Sequence, residues 1–385
     1  MAETSEHQHD GMEHISPDEF DQSMMHAALD LARRGSGYVS PNPMVGAVIV
    51  DKDRRIIGEG WHKRYGTPHA EINAITSAAG QDLSNATLYV TLEPCSHFGK
   101  TPPCSDAIIA AGIRRVVVAM RDPNPLVSGQ GNRRMREAGI QVEVGLLEHE
   151  ARALNETYIH FISTGMPFVA VKMAQTLDGF TALPSGESKW ITGEQSRRRV
   201  HLLRATYDAA MVGTQTAIMD NPTLTVRYGI EARHPKRITI DRNLIIPDTH
   251  YLFSDPHTEL THLFTTEENA RSPRAMELAD RGVHIFDVPD TPRGLNLSEI
   301  LRTLAELNIA SVLVEGGSRF AGALIREDLV SKIILFVAPK LFGHGFGSFP
   351  DLGIDKLSEA YQLNFTNVEP LAEDLLIEAT ILARG

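Results

Sequence analysis

Cysteine is scarce: the 385-residue chain has two. A disulfide framework is therefore excluded, and a reducing compartment is the expectation. Long apolar runs are missing as well. Nothing approaches the roughly 18 consecutive apolar residues that a membrane-spanning helix requires. Positive charge is in deficit, with a formal net charge of −12. A surface that acidic argues against a protein whose main task is gripping nucleic acid, because that affinity comes largely from Lys and Arg on phosphates. It leaves room for a small anionic substrate in a local basic pocket. Repeats and low-complexity tracts are absent. The first residues, MAETSEHQHDGMEH, lack an apolar stretch. Neither a signal peptide nor a mitochondrial presequence is expected there, and the cytoplasm is the expected location.

What is present is an ordinary globular composition, 42% hydrophobic and 22% charged. At about 100–200 residues per domain, two domains are expected. Residues 1–16 read as a disordered tail, in which His7, His9 and His14 are solvated. Ser16-Pro17-Asp18-Glu19 opens a helix, with Ser as N-cap, Pro in the first turn and Glu three residues after the cap. Strands are expected near 45–50, 54–60, 87–92, 114–120 and 140–146, and helices over 69–79, 104–111, 132–138 and 148–163. This alternation predicts an α/β sandwich around a mostly parallel sheet. Gly165-Met166-Pro167 interrupts the pattern, so the domains are drawn as 17–164 and 165–385. In the second, strands are expected at 168–175, 209–212, 237–240, 261–265, 284–287, 311–315 and 332–338. Helices are expected at 194–205, 267–281, 298–308 and 318–326. Two antiparallel strands are expected in 361–383.

Three short pieces carry chemistry: His69-Ala70-Glu71, Glu93-Pro94-Cys95 and Cys104. One imidazole and two thiolates suit zinc and leave its fourth position to water. Zinc brings that water's pKa toward neutrality, and a carboxylate two residues from the histidine can carry its proton to a departing amino group. An H-x-E followed by P-C and a second cysteine is the signature of zinc deaminases acting on nucleobases. Alone, His-Ala-Glu reads as a solvated helix start and two cysteines as small buried hydrophobes. In this order, each near a strand-to-helix junction, they point to one catalytic site. The usual spacing is P-C-x-x-C, whereas eight residues, SHFGKTPP, separate Cys95 from Cys104.

That departure, in TLEPCSHFGKTPPC, together with PNPMVGAVIV, GEGWH, HAE and RDPNPLVSGQG, resembles the deaminase half of the bifunctional deaminase–reductase family of riboflavin biosynthesis, RibD/RibG. The resemblance covers about residues 20–160. It implies a cytidine-deaminase-like α/β/α sandwich and, as substrate, a diaminopyrimidinone bearing a ribosylamino 5-phosphate. It also implies substrate contacts from Asn42, His62, His97, Lys100 and Asn124, with Lys100 on the phosphate. Ser96–Pro103 then reads as part of the substrate site. A surface lysine and turn-forming asparagines in N-P sequences are the bland alternatives.

Residues 168–385 resemble the reductase half of the same family, through KMAQTLDGFTA, SGESKWITG, HLLRA, DNPTLTVR, VEGGS and APKLFG. The implied fold is dihydrofolate-reductase-like and the implied cofactor NADPH. The residues are compatible with this. Gly316-Gly317-Ser318 ends a strand and opens a helix, where backbone N–H groups can reach a pyrophosphate. No G-x-G-x-x-G is present, which disfavours a Rossmann domain. By resemblance, Ser188, Arg204, Leu224, Arg227 and Glu315 bind substrate. Ala174, Trp190, Thr216, Asp220 and Gly317, Ser318, Arg319, Phe320, Ala321, Gly322, Ala323 bind the cofactor. Arg242 is a candidate for the 2′-phosphate of NADP, with a plain surface arginine as the alternative. Lys172 and Asp178 are the catalytic candidates, against a purely structural ion pair. A homo-oligomer is implied by the resemblance alone; no interface pattern is visible in the sequence. The rival readings are another zinc deaminase, acting on a nucleoside, cytidylate or tRNA adenosine, and a non-enzymatic scaffold on an inherited fold.

Overall fold

The computed structural model describes residues 17–96, 102–124 and 128–384. The chain divides into two compact units. The first comprises the described residues up to Gly35 together with Met44–Asn155; the second comprises Ser36–Pro43 together with Glu156–Gly385. No helix among the described residues is long and apolar enough to cross a membrane.

The first unit is built on five strands, β1 (Gly46–Val50), β2 (Ile56–Trp61), β3 (Thr87–Leu92), β4 (Arg115–Met120) and β5 (Gln141–Val144), in the order β2-β1-β3-β4-β5. The pairs β3–β4 and β4–β5 are parallel, but β1 is antiparallel to both of its neighbours. The expected mostly parallel sheet is therefore mixed. The cause is local: the short turn after Val50 returns the chain directly into β2, and only an antiparallel partner can be reached by so short a link. Asp51 fixes this turn, its carboxylate accepting from the N–H groups of Asp53 and Arg55, both at 2.9 Å.

Helices α1 (Pro17–Arg33) and α2 (Ala70–Ser77) pack on opposite faces of this sheet. A Cβ on Gly46 would lie 1.9 Å from the Ala28 carbonyl oxygen in α1, and one on Gly60 would lie 2.3 Å from that of Ala70 in α2. Gly60 pairs with Ala47, so the two share a face, whereas adjacent Gly46 points to the other. The result is the expected three-layer sandwich. Gly60→Ala is expected to push α2 off β2 and cost about 1–3 kcal/mol, read as a lower midpoint of thermal unfolding. An unchanged midpoint would contradict the close approach. Helices α3 (Cys104–Ala110) and α4 (Gln130–Glu137) follow β3 and β4.

The expected helix 148–163 is two helices, Glu148–Leu154 and Glu156–Thr164. Asn155 separates them. It is buried, and its side-chain amide accepts from the Met44 N–H at 2.8 Å and donates to the Met44 carbonyl at 3.0 Å. An asparagine side chain thus stands in for a strand neighbour, a use that no helical periodicity reveals.

The second unit carries a nine-stranded sheet. From one edge its strands are His284–Asp287, Thr261–Thr265, Lys236–Ile240, Ala209–Gly213, Ser311–Val314, Phe168–Thr176, Lys332–Ala338, Asp374–Arg384 and Tyr361–Leu371. Neighbours are parallel as far as Lys332–Ala338, and the C-terminal ribbon is antiparallel. The expected helix 267–281 is likewise two, Glu267–Ala270 and Pro273–Asp280. Pro273 has no N–H to continue the first helix, and Ser272 caps the second by accepting from the Ala275 N–H.

Candidate active sites

In the first unit the three metal candidates meet. His69 is the N-cap of α2, Cys95 lies just beyond β3, and Cys104 is the first residue of α3. The Nδ1 atom of His69 is 3.6 Å from the Cys95 sulfur and 3.3 Å from the Cys104 sulfur. All three donor atoms lie within 4.8 Å of one another. A tetrahedral zinc with ordinary bond lengths separates an imidazole nitrogen from a thiolate sulfur by about 3.5 Å, so the donor set fits that ion. The Cys95 sulfur also accepts from the Cys104 N–H, at 3.3 Å. Hydrogen bonding from Cys104, then from His69, brings the Cys95 thiol down to about 4, against burial. Once Cys95 carries the charge, the Cys104 thiol is held well above its usual range. The Cys95 sulfur in turn raises His69, against burial.

Glu71 lies in the first turn of α2 and is 3% exposed. Burial pushes its carboxyl up to about 7, with His69 pulling the other way. A carboxyl poised near neutrality beside these three donors suits proton transfer. His62 lies beside His69, ring centroids 5.4 Å apart at 80°. It is buried, which lowers its pKa, and its Nδ1 lies 3.2 Å from the Pro68 carbonyl oxygen. Asn124 follows β4. Its N–H donates to the Asp122 carboxylate at 2.9 Å, and its carbonyl accepts from Ser128 at 3.0 Å. Asn42 belongs to Ser36–Pro43, the segment that groups with the second unit. His97 and Lys100 lie outside the described residues, as do His7, His9 and His14.

In the second unit, Glu315 closes the strand Ser311–Val314 at the centre of the sheet. It receives two bonds from the Arg204 guanidinium, at 2.6 and 3.0 Å, and Lys172 Nζ stands 3.8 Å away. The Arg204 and Glu315 side chains are 9% and 7% exposed. Burial lowers Lys172, whereas for Glu315 the opposing burial is outweighed by Arg204 and Lys172 and its carboxyl stays low. Arg204 also donates to the Thr225 carbonyl at 3.0 Å. On the other side of the same turn, the fully buried Arg237 donates to the Thr223 carbonyl at 3.2 Å. Between them Leu224 is buried with φ of +53°, a conformation that a leucine adopts only where its surroundings enforce it. Arg237, a support of the Leu224 turn, was not singled out in the sequence; its strand Lys236–Ile240 reads KRITI, and only the fold shows that this arginine is fully buried.

His201 packs into the same region. Its Nδ1 accepts from the Arg227 N–H at 3.0 Å. Burial first, then the Arg204 and Arg227 charges, bring it down to about 4. Folded His201 therefore stays neutral where an unfolded histidine, titrating near 6.5, takes up a proton. Stability tied to it is complete above about pH 6.5 and is lost as pH falls toward 4. His201→Gln is expected to flatten the acid limb of the thermal midpoint across that window. An identical acid limb in the variant would contradict this.

Asp178 accepts from Thr176 Oγ1 at 2.5 Å, from the Phe342 N–H at 3.0 Å and from the Gly343 N–H at 2.7 Å. The Gly317 N–H donates to Thr216 Oγ1 at 2.9 Å, joining two of the cofactor candidates at the start of the helix Ser318–Arg326. Ala321 and Gly322 are buried within that helix, while Arg319 is exposed. Trp190 is 65% exposed, with the Arg197 guanidinium 4.8 Å from its ring centroid. Asp220 pairs with Lys189 at 3.4 Å, and Arg242 pairs with Asp290 at 2.5 Å, both at the surface. Ser188 and Ala174 are half-buried, and Arg227 is exposed.

Residues 18–120 match the cytidine and deoxycytidylate deaminase zinc-binding region, and residues 167–377 match the RibD C-terminal domain. The riboflavin biosynthesis protein RibD of Aquifex aeolicus (strain VF5) is 45% identical over 359 residues, 93% of this chain and 98% of that one. The chain belongs to the RibD family. The Escherichia coli (strain K12) RibD is 41% identical over 373 residues, 93% of this chain and 98% of that protein. Among solved structures, Acinetobacter baumannii RibD superposes with a TM-score of 0.84 at 38% identity, covering 95% of this chain and all (100%) of the other. A Thermotoga maritima structure described as a diaminohydroxyphosphoribosylaminopyrimidine deaminase/5-amino-6-(5-phosphoribosylamino)uracil reductase gives a TM-score of 0.84 at 40% identity, with coverage of 95% and 100%. As in RibD generally, the chain joins a deaminase domain of the cytidine-deaminase type to a dihydrofolate-reductase-like reductase domain, and it is a bifunctional enzyme of riboflavin biosynthesis.

Proposed function

We propose that residues 17–164 hydrolyse 2,5-diamino-6-(5-phosphoribosylamino)pyrimidin-4(3H)-one to 5-amino-6-(5-phosphoribosylamino)uracil and ammonia, and that residues 165–385 reduce the ribosyl group of that product to ribityl with NADPH. The observation that carries this reading is the convergence of His69, Cys95 and Cys104 beside the buried Glu71. The Thermotoga maritima description favours this substrate pair over a nucleoside or tRNA.

In this reading His69, Cys95 and Cys104 hold zinc, which when bound supplies an activated water. Glu71 takes a proton from the attacking water on its carboxylate and delivers it to the departing amino nitrogen. A C–O bond forms at the ring carbon, the C–N bond breaks, and ammonia leaves. Asn42, His62, His97 and Asn124 orient the ring and sugar, and Lys100 binds the phosphate.

In the reductase, NADPH supplies the hydride and solvent the proton that opens the sugar. The chain's part is positioning. Glu315 and Lys172 face the reacting sugar, with Arg204 holding Glu315 rigid. Ser188, Leu224 and Arg227 complete the substrate site, and Asp178 holds the Phe342–Gly343 backbone. Ala174, Trp190, Thr216, Asp220 and the Gly317–Ala323 run take the cofactor, with Arg242 exchanging Asp290 for the 2′-phosphate. The remaining assignments are a cytoplasmic homo-oligomer and no nucleic-acid partner. Ammonia release from the aminopyrimidine phosphate, cytidine and a tRNA stem-loop, each offered separately, tests the substrate. Activity confined to the first supports the reading, and preference for either other substrate refutes it.

A further inference from the structure

Glu93 lies between β3 and Cys95, with its N–H donating to the Met120 carbonyl at 3.0 Å. It is 4% exposed, yet no basic side chain among the described residues pairs with it. Its carboxylate is spent on main chain. One oxygen accepts from the N–H groups of Asp122 at 3.3 Å and Gly129 at 2.9 Å, and the other accepts from that of Asn132 at 3.1 Å. These three residues bracket Asn124. Asp122 passes the restraint on, accepting from the Asn124 N–H at 2.9 Å, and Ser128 donates to the Asn124 carbonyl at 3.0 Å. The first turn of α4 is seated against the same corner: a Cβ on Gly131 would lie 1.9 Å from the Pro94 carbonyl oxygen.

We propose that Glu93 is the positioning residue that holds Asn124 in register with the zinc-binding turn, so that one buried carboxylate aligns a substrate contact with the metal centre. This inference rests on the reading that Asn124 binds the deaminase substrate. Three N–H groups bound by one carboxylate need both oxygens as acceptors. Gln is the same size, but whichever way its amide turns, an N–H faces an N–H. The restraint acts on Asp122, Gly129 and Asn132, and through Asp122 on Asn124, and on none of the three metal ligands' side chains. Its loss therefore weakens substrate binding and leaves the metal in place.

The test uses the full-length, zinc-loaded enzyme and measures ammonia release from the diaminopyrimidinone phosphate for wild type, Glu93→Gln, Asp122→Ala and Asn124→Ala. Glu93→Gln and Asn124→Ala are expected to raise KM roughly ten- to hundredfold. Zinc per chain, resistance to a chelator and NADPH oxidation on supplied deaminated product should stay at wild-type levels. Asp122→Ala should move KM the same way by less, and it decides the matter should Glu93→Gln fail to fold. A wild-type KM in Glu93→Gln or, failing that, in Asp122→Ala overturns the proposal while Asn124→Ala keeps the substrate reading alive. Loss of zinc and kcat at unchanged KM also overturns it, making Glu93 a prop of the metal turn. A wild-type KM in Asn124→Ala, or a wild type that releases no ammonia, removes the underlying reading and the inference with it.

Discussion

Replacing Cys104 with alanine is expected to strip zinc and deamination together and to leave the reductase working. Cys104 is one of the three converging donors, and its sulfur lies 3.3 Å from His69 Nδ1. With two donors left, the metal loses the geometry that a closed three-ligand set imposes. The second unit has its own sheet and core, made of residues 168 onward, so its folding does not depend on this thiolate. Metal analysis should find zinc far below one per chain and ammonia release at background, with NADPH oxidation on supplied deaminated product near wild type. A variant that keeps stoichiometric zinc would remove Cys104 from the ligand set.

Glu71→Ala is expected to separate chemistry from metal binding. Glu71 is buried beside His69 but is not one of the three converging donors. Its removal should leave zinc in place and cut deamination by roughly 10²–10⁴-fold, the usual contribution of a positioned proton carrier. Alanine also leaves a small polar void in which water can partly substitute, so a residual rate is compatible with the assignment. Full retained activity is not.

The candidate metal site, three donors that the fold brings together, was legible in the sequence because its members announce themselves in short motifs. His-Ala-Glu, Pro-Cys and a second Cys each occupy a strand-to-helix junction, and it is their combination in this order, not any one of them, that points to zinc. The alternation of elements was legible for the same kind of local reason. What remained hidden depends on contacts between distant residues. Arg204 and Glu315 are 111 positions apart, and only the fold shows that they satisfy each other. Glu93 works through backbone N–H groups of residues 122, 129 and 132, which carry no side-chain signal. Asn155 reads as an ordinary helical position until Met44 is seen against its amide. The direction of β1 turned on a few residues around Asp51, below the scale at which strand and helix periodicity speak.

Two chemistries on one chain make a specific order of events testable. The coupled assay supplies the diaminopyrimidinone phosphate with NADPH and follows ammonia and NADP separately. One ammonia should appear for each substrate consumed, with or without NADPH, and one NADP should follow each ammonia only when NADPH is present. Cys104→Ala in the same assay should produce neither. NADPH oxidation that precedes ammonia, or that persists in Cys104→Ala on the undeaminated substrate, would contradict a zinc deaminase feeding the reductase.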